Sequence, residues 1–166
     1  MGTIFVDNIK EHTASHGVHV PGHQVQIAHG LNSQSNVQPT AANTWNVVNF
    51  STPLEVSITP KFANSLIRAE MFVNVLINNV NYAGAGLRRD NTDIGYFWGY
   101  NAVGNWMPWS PSICVIDQPN TTNTITYKPI INMSGSTLTN YLWNYQGPTA
   151  NLPLRATRII LTEIAQ

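Results

Sequence analysis

The stretch SLIRAEMFVNVLI, residues 65–77, decides how this chain folds. Its apolar positions partly fit the period of an amphipathic helix. Val73, Val75 and Ile77, however, recur at a period of two, and all three are β-branched. A branched Cβ is crowded by the preceding helical turn but packs well on a pleated surface, so the stretch reads as one long strand. Just upstream, LEVSITPKF (residues 54–62) is less ambiguous. Leu54, Val56 and Ile58 alternate with Glu55, Ser57 and Thr59, the pattern of an antiparallel strand with one face buried. Further out, HQVQIAHG (23–30) places Val25 and Ile27 on one face and Gln24, Gln26 and Ala28 on the other. TWNVVNF, SICVIDQP, NTITYKPIINM, TNYLWNYQGP and LRATRIILTEIA are further strand-like runs. They recur roughly every 10 to 15 residues with Gly, Pro and Asn between them, and no long amphipathic helix interrupts them. The expectation is an all-β protein: a jelly-roll-like β-sandwich head over residues 23–166.

Composition narrows the function. Charged residues make up 10% of the 166, against about 25% in ordinary globular domains, and asparagine alone occurs 20 times. Hydrophobicity is ordinary, so a core is available and disorder is not expected. A surface of amides and hydroxyls is soluble but weakly self-repelling, which suits a fixed assembly. Low charge also leaves edge strands open to pairing, and a symmetric oligomer covers such edges. Net charge is zero, and Arg88-Arg89 is the densest positive spot. A nucleic-acid partner needs a basic footprint to neutralise phosphates, so none is expected. No apolar run approaches ~18 residues and the start lacks a basic-then-apolar leader, so no membrane insertion is expected and synthesis is placed in a cytoplasm. Cys114 is the single cysteine, which excludes an intrachain disulfide. Within SICVID it reads as a buried, inert thiol.

Residues 1–22 differ from the rest. They are polar and turn-rich, carry an apolar cluster at Ile4, Phe5 and Val6 with Ile9 close behind it, and end at the Pro21-Gly22 turn. Such a segment makes no core alone and reads as an arm that docks on another protein. All five histidines, His12, His16, His19, His23 and His29, fall in this region and its junction with the first strand. The spacing would suit a helical metal site, but Gly17, Val18, Val20, Pro21 and Gly22 oppose a helix. The plain reading is a polar arm surface. The sharper one places three copies of His19 or His23 around a trimer axis to hold a metal.

The opening IFVDNIKEHTASHGVHVPGHQVQ, the stretch LEVSITPKFANSLIRAEMFVNV and the ending RATRIILTEIA resemble small tail-fibre-like and virion-surface structural proteins of marine and cyanobacterial tailed phages. The resemblance covers residues 3–29, 54–76 and 155–165; residues 80–152 match nothing of that kind. It implies a virion component with an N-terminal docking arm and a trimeric β-sandwich head, whose partners are its own copies and a tail protein or the major capsid protein.

Two clusters remain as candidates for chemistry. Tyr96, Trp98, Tyr100, Trp106 and Trp109 crowd one stretch, and Tyr141, Trp143 and Tyr145 alternate in another. Such aromatics stack on sugars or fill protein contacts, so they read as receptor or interface contacts; the plain alternative packs them over the sandwich. Asp90 and Asp93 lie three apart in a turn. Paired carboxylates cleave glycosidic bonds, but two acids screened by Arg88 or Arg89 are the simpler reading. No nucleophile–base pair is visible, and no cofactor is expected. The sequence therefore points to a non-enzymatic virion structural protein, tail-fibre or adhesin-like, whose head contacts a host surface glycan or protein. A capsid decoration protein is the alternative, and a glycan-cleaving appendage a remote one.

Overall fold

The computed structural model describes residues 21–34, 37–38, 41–78, 82–99, 107–134, 141–144 and 156–166. All regular structure among them is β. The strands are β1 (Gln24–Asn32), β2 (Asn46–Val47), β3 (Val56–Ile58), β4 (Leu66–Phe72), β5 (Val75–Ile77), β6 (Ala83–Arg89), β7 (Thr92–Gly99), β8 (Met107–Trp109), β9 (Ser112–Asp117), β10 (Ile125–Met133), β11 (Tyr141–Trp143) and β12 (Thr157–Ile164).

Two sheets face one another. The first has the order β1-β12-β4-β9. The second has the order β2-β10-β6-β7, with β3 also paired to β10. Every pairing is antiparallel. β2 and β3 meet different parts of β10 and together form one interrupted edge. Taking them as the second long strand, and β5, β8 and β11 as additions, the first sheet runs first-eighth-third-sixth and the second runs second-seventh-fourth-fifth. That is the strand order of a jelly roll, the form of β-sandwich expected.

The core lies between the sheets. Ile67, Ala69 and Met71 of β4 and Ile159 and Leu161 of β12 meet Ala83, Ala85 and Leu87 of β6 and Ile131 and Met133 of β10. Each fully buried Ile or Leu contributes about 1.5–3 kcal/mol relative to exposure. At one end, β11-β5-β8 forms a small third sheet. Trp143 of β11 is completely buried there and its indole N–H donates to Thr157 Oγ1. Thr157 Oγ1 donates in turn to Asn144 Oδ1 at 2.8 Å. This chain of bonds ties the small sheet to β12.

The structure corrects three expectations. Residues 65–77 form two strands in different sheets, β4 and β5, because the chain breaks at Val73-Asn74. Val73 N–H bonds Pro111 O (3.3 Å), and Asn74 O accepts from Asn144 N–H (2.7 Å), so each turns to a different neighbour. In β1 a register shift between Gln24 and Gln26 sets the outward face, and Ile27 and Leu31 lie on it at 56% exposure each. Gln26 is turned inward instead, where its Nε2 reaches the completely buried Glu163 at 2.6 Å. Cys114, read as buried, is exposed on β9. It is register partner to Glu70, and inward positions alternate with it at Ile113 and Val115.

The Pro21-Gly22 turn is present, with Gly22 at φ 79°. The arm's Ile4, Phe5, Val6 and Ile9, and His19, lie outside the described residues.

Candidate functional site: an aromatic shelf on the second sheet

Strand alternation builds this site. In β6, Ala83, Ala85 and Leu87 point into the core, so Gly84, Gly86 and Arg88 point outward. In β7, Trp98 is opposite Gly84 and Tyr96 opposite Gly86. The glycines leave a floor without side chains, and the aromatic rings fold over it. A Cβ on Gly84 would sit 2.6 Å from the Trp45 ring and 3.0 Å from Trp98. A Cβ on Gly86 would sit 2.7 Å from the Gly95 carbonyl oxygen and 3.0 Å from Tyr96. Only glycine allows this approach.

Four rings share the shelf. Trp45 lies 4.9 Å from Trp98 and 5.2 Å from Tyr96, centroid to centroid. Trp98 meets Tyr82 edge-on at 5.0 Å and Tyr96 edge-on at 6.1 Å. These tilted and edge-to-face arrangements suit ring quadrupoles, each pair adding about 0.5–1.5 kcal/mol beyond area burial. The rings nonetheless face outward: Tyr96 is 58% exposed and Trp98 37%. Tyr82 is held from the side by its hydroxyl, which donates to Asn43 Oδ1 at 3.3 Å.

Polar groups border the rings. Arg88 Nε donates to Asp93 Oδ1 at 2.5 Å, and its NH2 donates to the Trp45 carbonyl at 3.3 Å. Lys128 pairs with Glu55 at 2.8 Å. Asn132 is register partner to Gly84, so its side chain emerges on the shelf side. Asn132 is 7% exposed, and among the described residues its Oδ1 has no hydrogen-bond partner. Buried amide oxygens are seldom left so.

The other aromatic candidates part company. Phe97 points to the opposite side of β7 and stacks on Trp109 at 5.7 Å, with Gly99 beneath Trp109. Trp143, read from sequence as a surface contact, is a core residue: its full burial within the chain removes it from any surface. Tyr141 belongs to β11. Tyr100, Trp106 and Tyr145 lie outside the described residues. Trp45, Tyr82 and Asn132 complete the shelf and were not singled out by sequence. The usable signal was the Gly-x-Gly of AGAGL, whose bare face has to be covered by something large.

Asp90 and Asp93 are both engaged. Asp93 is paired with Arg88, and Asp90 Oδ1 accepts the Thr126 amide at 3.0 Å while its backbone takes φ 49° in the β6–β7 turn. Arg89 turns away to Asp117, at 2.7 and 2.8 Å to its two oxygens. Asp117 also accepts the Tyr127 hydroxyl at 2.7 Å. Burial raises the Tyr127 phenol pKa far above its ordinary 10.0, helped by the hydrogen bond to Asp117 and its charge. Among the described residues no group of three or more His, Cys, Asp or Glu is placed to hold a metal; His23 and His29 are exposed and apart.

Fold and site together define an antiparallel jelly-roll β-sandwich carrying an exposed aromatic shelf. No known protein family and no curated protein matches the sequence. Among solved structures, the chain is similar to one in the infectious bursal disease virus T13 particle, at 14% identity over 86% of this chain and 36% of that one, with a TM-score of 0.37. It is similar to one from the Gt strain of the same virus, at 14% identity over 100% and 43%, TM-score 0.37. A third similarity is to the VP2 subviral particle of that virus, at 15% identity over 86% and 39%, TM-score 0.30. The chain thus spans well under half the length of each of these proteins.

Proposed function

We propose that the chain is a non-enzymatic structural protein of a tailed-phage virion, of the tail-fibre or adhesin kind, with a head that contacts the host surface. The observation that carries this reading is the shelf of Trp45, Tyr82, Tyr96 and Trp98 on a jelly-roll head, with Tyr96 and Trp98 exposed on it. Large aromatics gain by burial, and an outward-facing cluster of them is suited to contact. The three stretches that resemble phage surface proteins contribute β1, β4 and β12, which are adjacent in the first sheet, and β3 at the edge of the second. The shelf stands on β6 and β7, from the stretch that resembles nothing of that kind. A shared frame bearing a distinctive face is what a host-specific head requires. Jelly rolls serve both viral capsid and lectin domains. Residues 1–22 act in this reading as the docking arm, and the head works as a homotrimer.

A second reading, capsid decoration, is favoured by the outer face of the first sheet. Ile27, Leu31, Phe72 and Ile116 are all exposed there, between 45% and 56%. An apolar face of that kind suits burial in a lattice contact.

Quantitative mass spectrometry of purified virions, scaled to the major capsid protein, separates the two. A few to a few tens of copies per particle place the chain on the tail. On the order of hundreds place it on the capsid lattice, where closed symmetry repeats each contact many times. Absence from purified virions overturns both.

A further inference from the structure

We propose that the aromatic shelf is a binding subsite for neutral hexose saccharides, with Trp98 and Tyr96 as the stacking platform and Asn132 Oδ1 as a hydrogen-bond acceptor at the floor. This rests on the reading of the head as host-facing and names what it contacts.

Two observations converge on a sugar. A pyranose presents a face of C–H groups and a rim of hydroxyls, so it needs an aromatic surface and polar partners at once. Tyr96 and Trp98 supply the surface, at 58% and 37% exposure, seated closely on Gly84 and Gly86. Asn132 supplies an acceptor that is 7% exposed and unpartnered among the described residues. A buried lone acceptor is satisfied by an incoming O–H, which a purely apolar ligand lacks. The half-buried Trp45 ring overhangs Gly84 in the same row, so binding at Asn132 requires Trp45 to swing aside.

Charge selects the neutral class. Arg88 is compensated by Asp93, and Lys128 by Glu55. The chain has no net charge. Among the described residues the shelf therefore offers an acidic sugar no uncompensated cation, while the desolvation of its carboxylate would oppose binding.

The test is a titration of the full chain with maltohexaose, cellohexaose and a linear galactan hexamer, with a polygalacturonate hexamer as the charged counterpart, read by intrinsic tryptophan fluorescence and by calorimetry. The expected result is saturable binding of at least one neutral hexamer, stronger than that of the charged one. Trp98→Ala and Tyr96→Ser are each expected to weaken it about fivefold, the size of one lost stacking contact. Tyr96→Ser alters an exposed side chain, so it reports on binding even if Trp98→Ala fails to fold. No saturable signal with any neutral hexamer, or unchanged affinity in both variants, overturns the proposal. So does loss of the sugar response together with protection of Tyr96 and Trp98 in a self-associated form, which assigns the shelf to a subunit contact. A virion-bound chain that ignores sugars refutes this assignment and leaves the virion reading standing. Sugar binding by a chain absent from virions does the reverse.

Discussion

Glu163 is expected to be the most costly polar residue to remove from the head. It is completely buried on β12. One carboxylate oxygen accepts the Lys61 and Phe62 amides at 2.7 and 3.3 Å, and the other accepts Gln26 Nε2 at 2.6 Å. It thereby joins β1, β12 and the loop after β3. In Glu163→Ala, the Gln26 amide keeps its second acceptor, the Thr59 carbonyl at 2.7 Å. The Lys61 and Phe62 amides both lose the oxygen that accepts them. Each unsatisfied buried donor costs about 1–3 kcal/mol, partly offset by the relief of a buried charge. The net expectation is a loss of about 3 kcal/mol. Glu163→Gln keeps one acceptor oxygen but turns an NH2 group toward a donor, and should cost about half as much. Urea denaturation followed by circular dichroism measures both, and the same losses appear as a fall in Tm of about 6–12 °C for the alanine variant. A Glu163→Ala protein within 1 kcal/mol of wild type would refute the reasoning, because it would show that the two amides find other partners at no cost.

Three further outcomes are expected. Tyr127→Phe should cost about 1 kcal/mol at neutral pH, since Arg89 still holds Asp117. The folded phenol pKa is raised, so above pH 10 the unfolded state loses its proton first and wild-type stability falls as pH rises; a flatter alkaline limb in Tyr127→Phe denaturation curves is the check. Trp143→Phe should lower stability by about 2 kcal/mol, through the missing bond to Thr157 and the space left by the indole, read by thermal unfolding. Cys114 should react with a thiol reagent in the native protein as fast as in urea, with one equivalent per chain; slow labelling that waits for unfolding would show it is covered.

The alternation of Leu54, Val56 and Ile58 and the Gly/Pro/Asn punctuation made the β-sandwich legible, because local period and turn chemistry agree with the final packing. The break between β4 and β5 was not legible: it is made by Pro111 and Asn144, which are distant in sequence. The face of β1 was also misjudged, for a reason outside the strand. Gly30 lies against Val56 and Leu54, where a Cβ would approach to 2.8 Å, and Gln26 is needed by Glu163, so the small and polar side turns inward. Of the site, the pairing of Tyr96 with Trp98 followed from strand period alone. Trp143 shows the same period and the same residue type as Trp98. What separates a buried indole from an exposed one is a partner across the fold, and no local pattern carries that.

The β1–β12 pairing has a mechanical consequence. The Gly22 amide bonds the Ala165 carbonyl at 2.7 Å, and the Ala165 amide bonds the His23 carbonyl at 2.9 Å. The start of β1 and the end of β12 are therefore tied together at a single corner of the sheet. A pull on residues 1–22, resisted at the shelf, runs along β1 and loads its whole ladder with β12 in shear, from Gln24↔Ile164 to Asn32↔Thr157. A pull between the two ends at that corner would open the same ladder one pair at a time. A load that enters at His23 and leaves through the second sheet thus follows the stronger axis of this ladder.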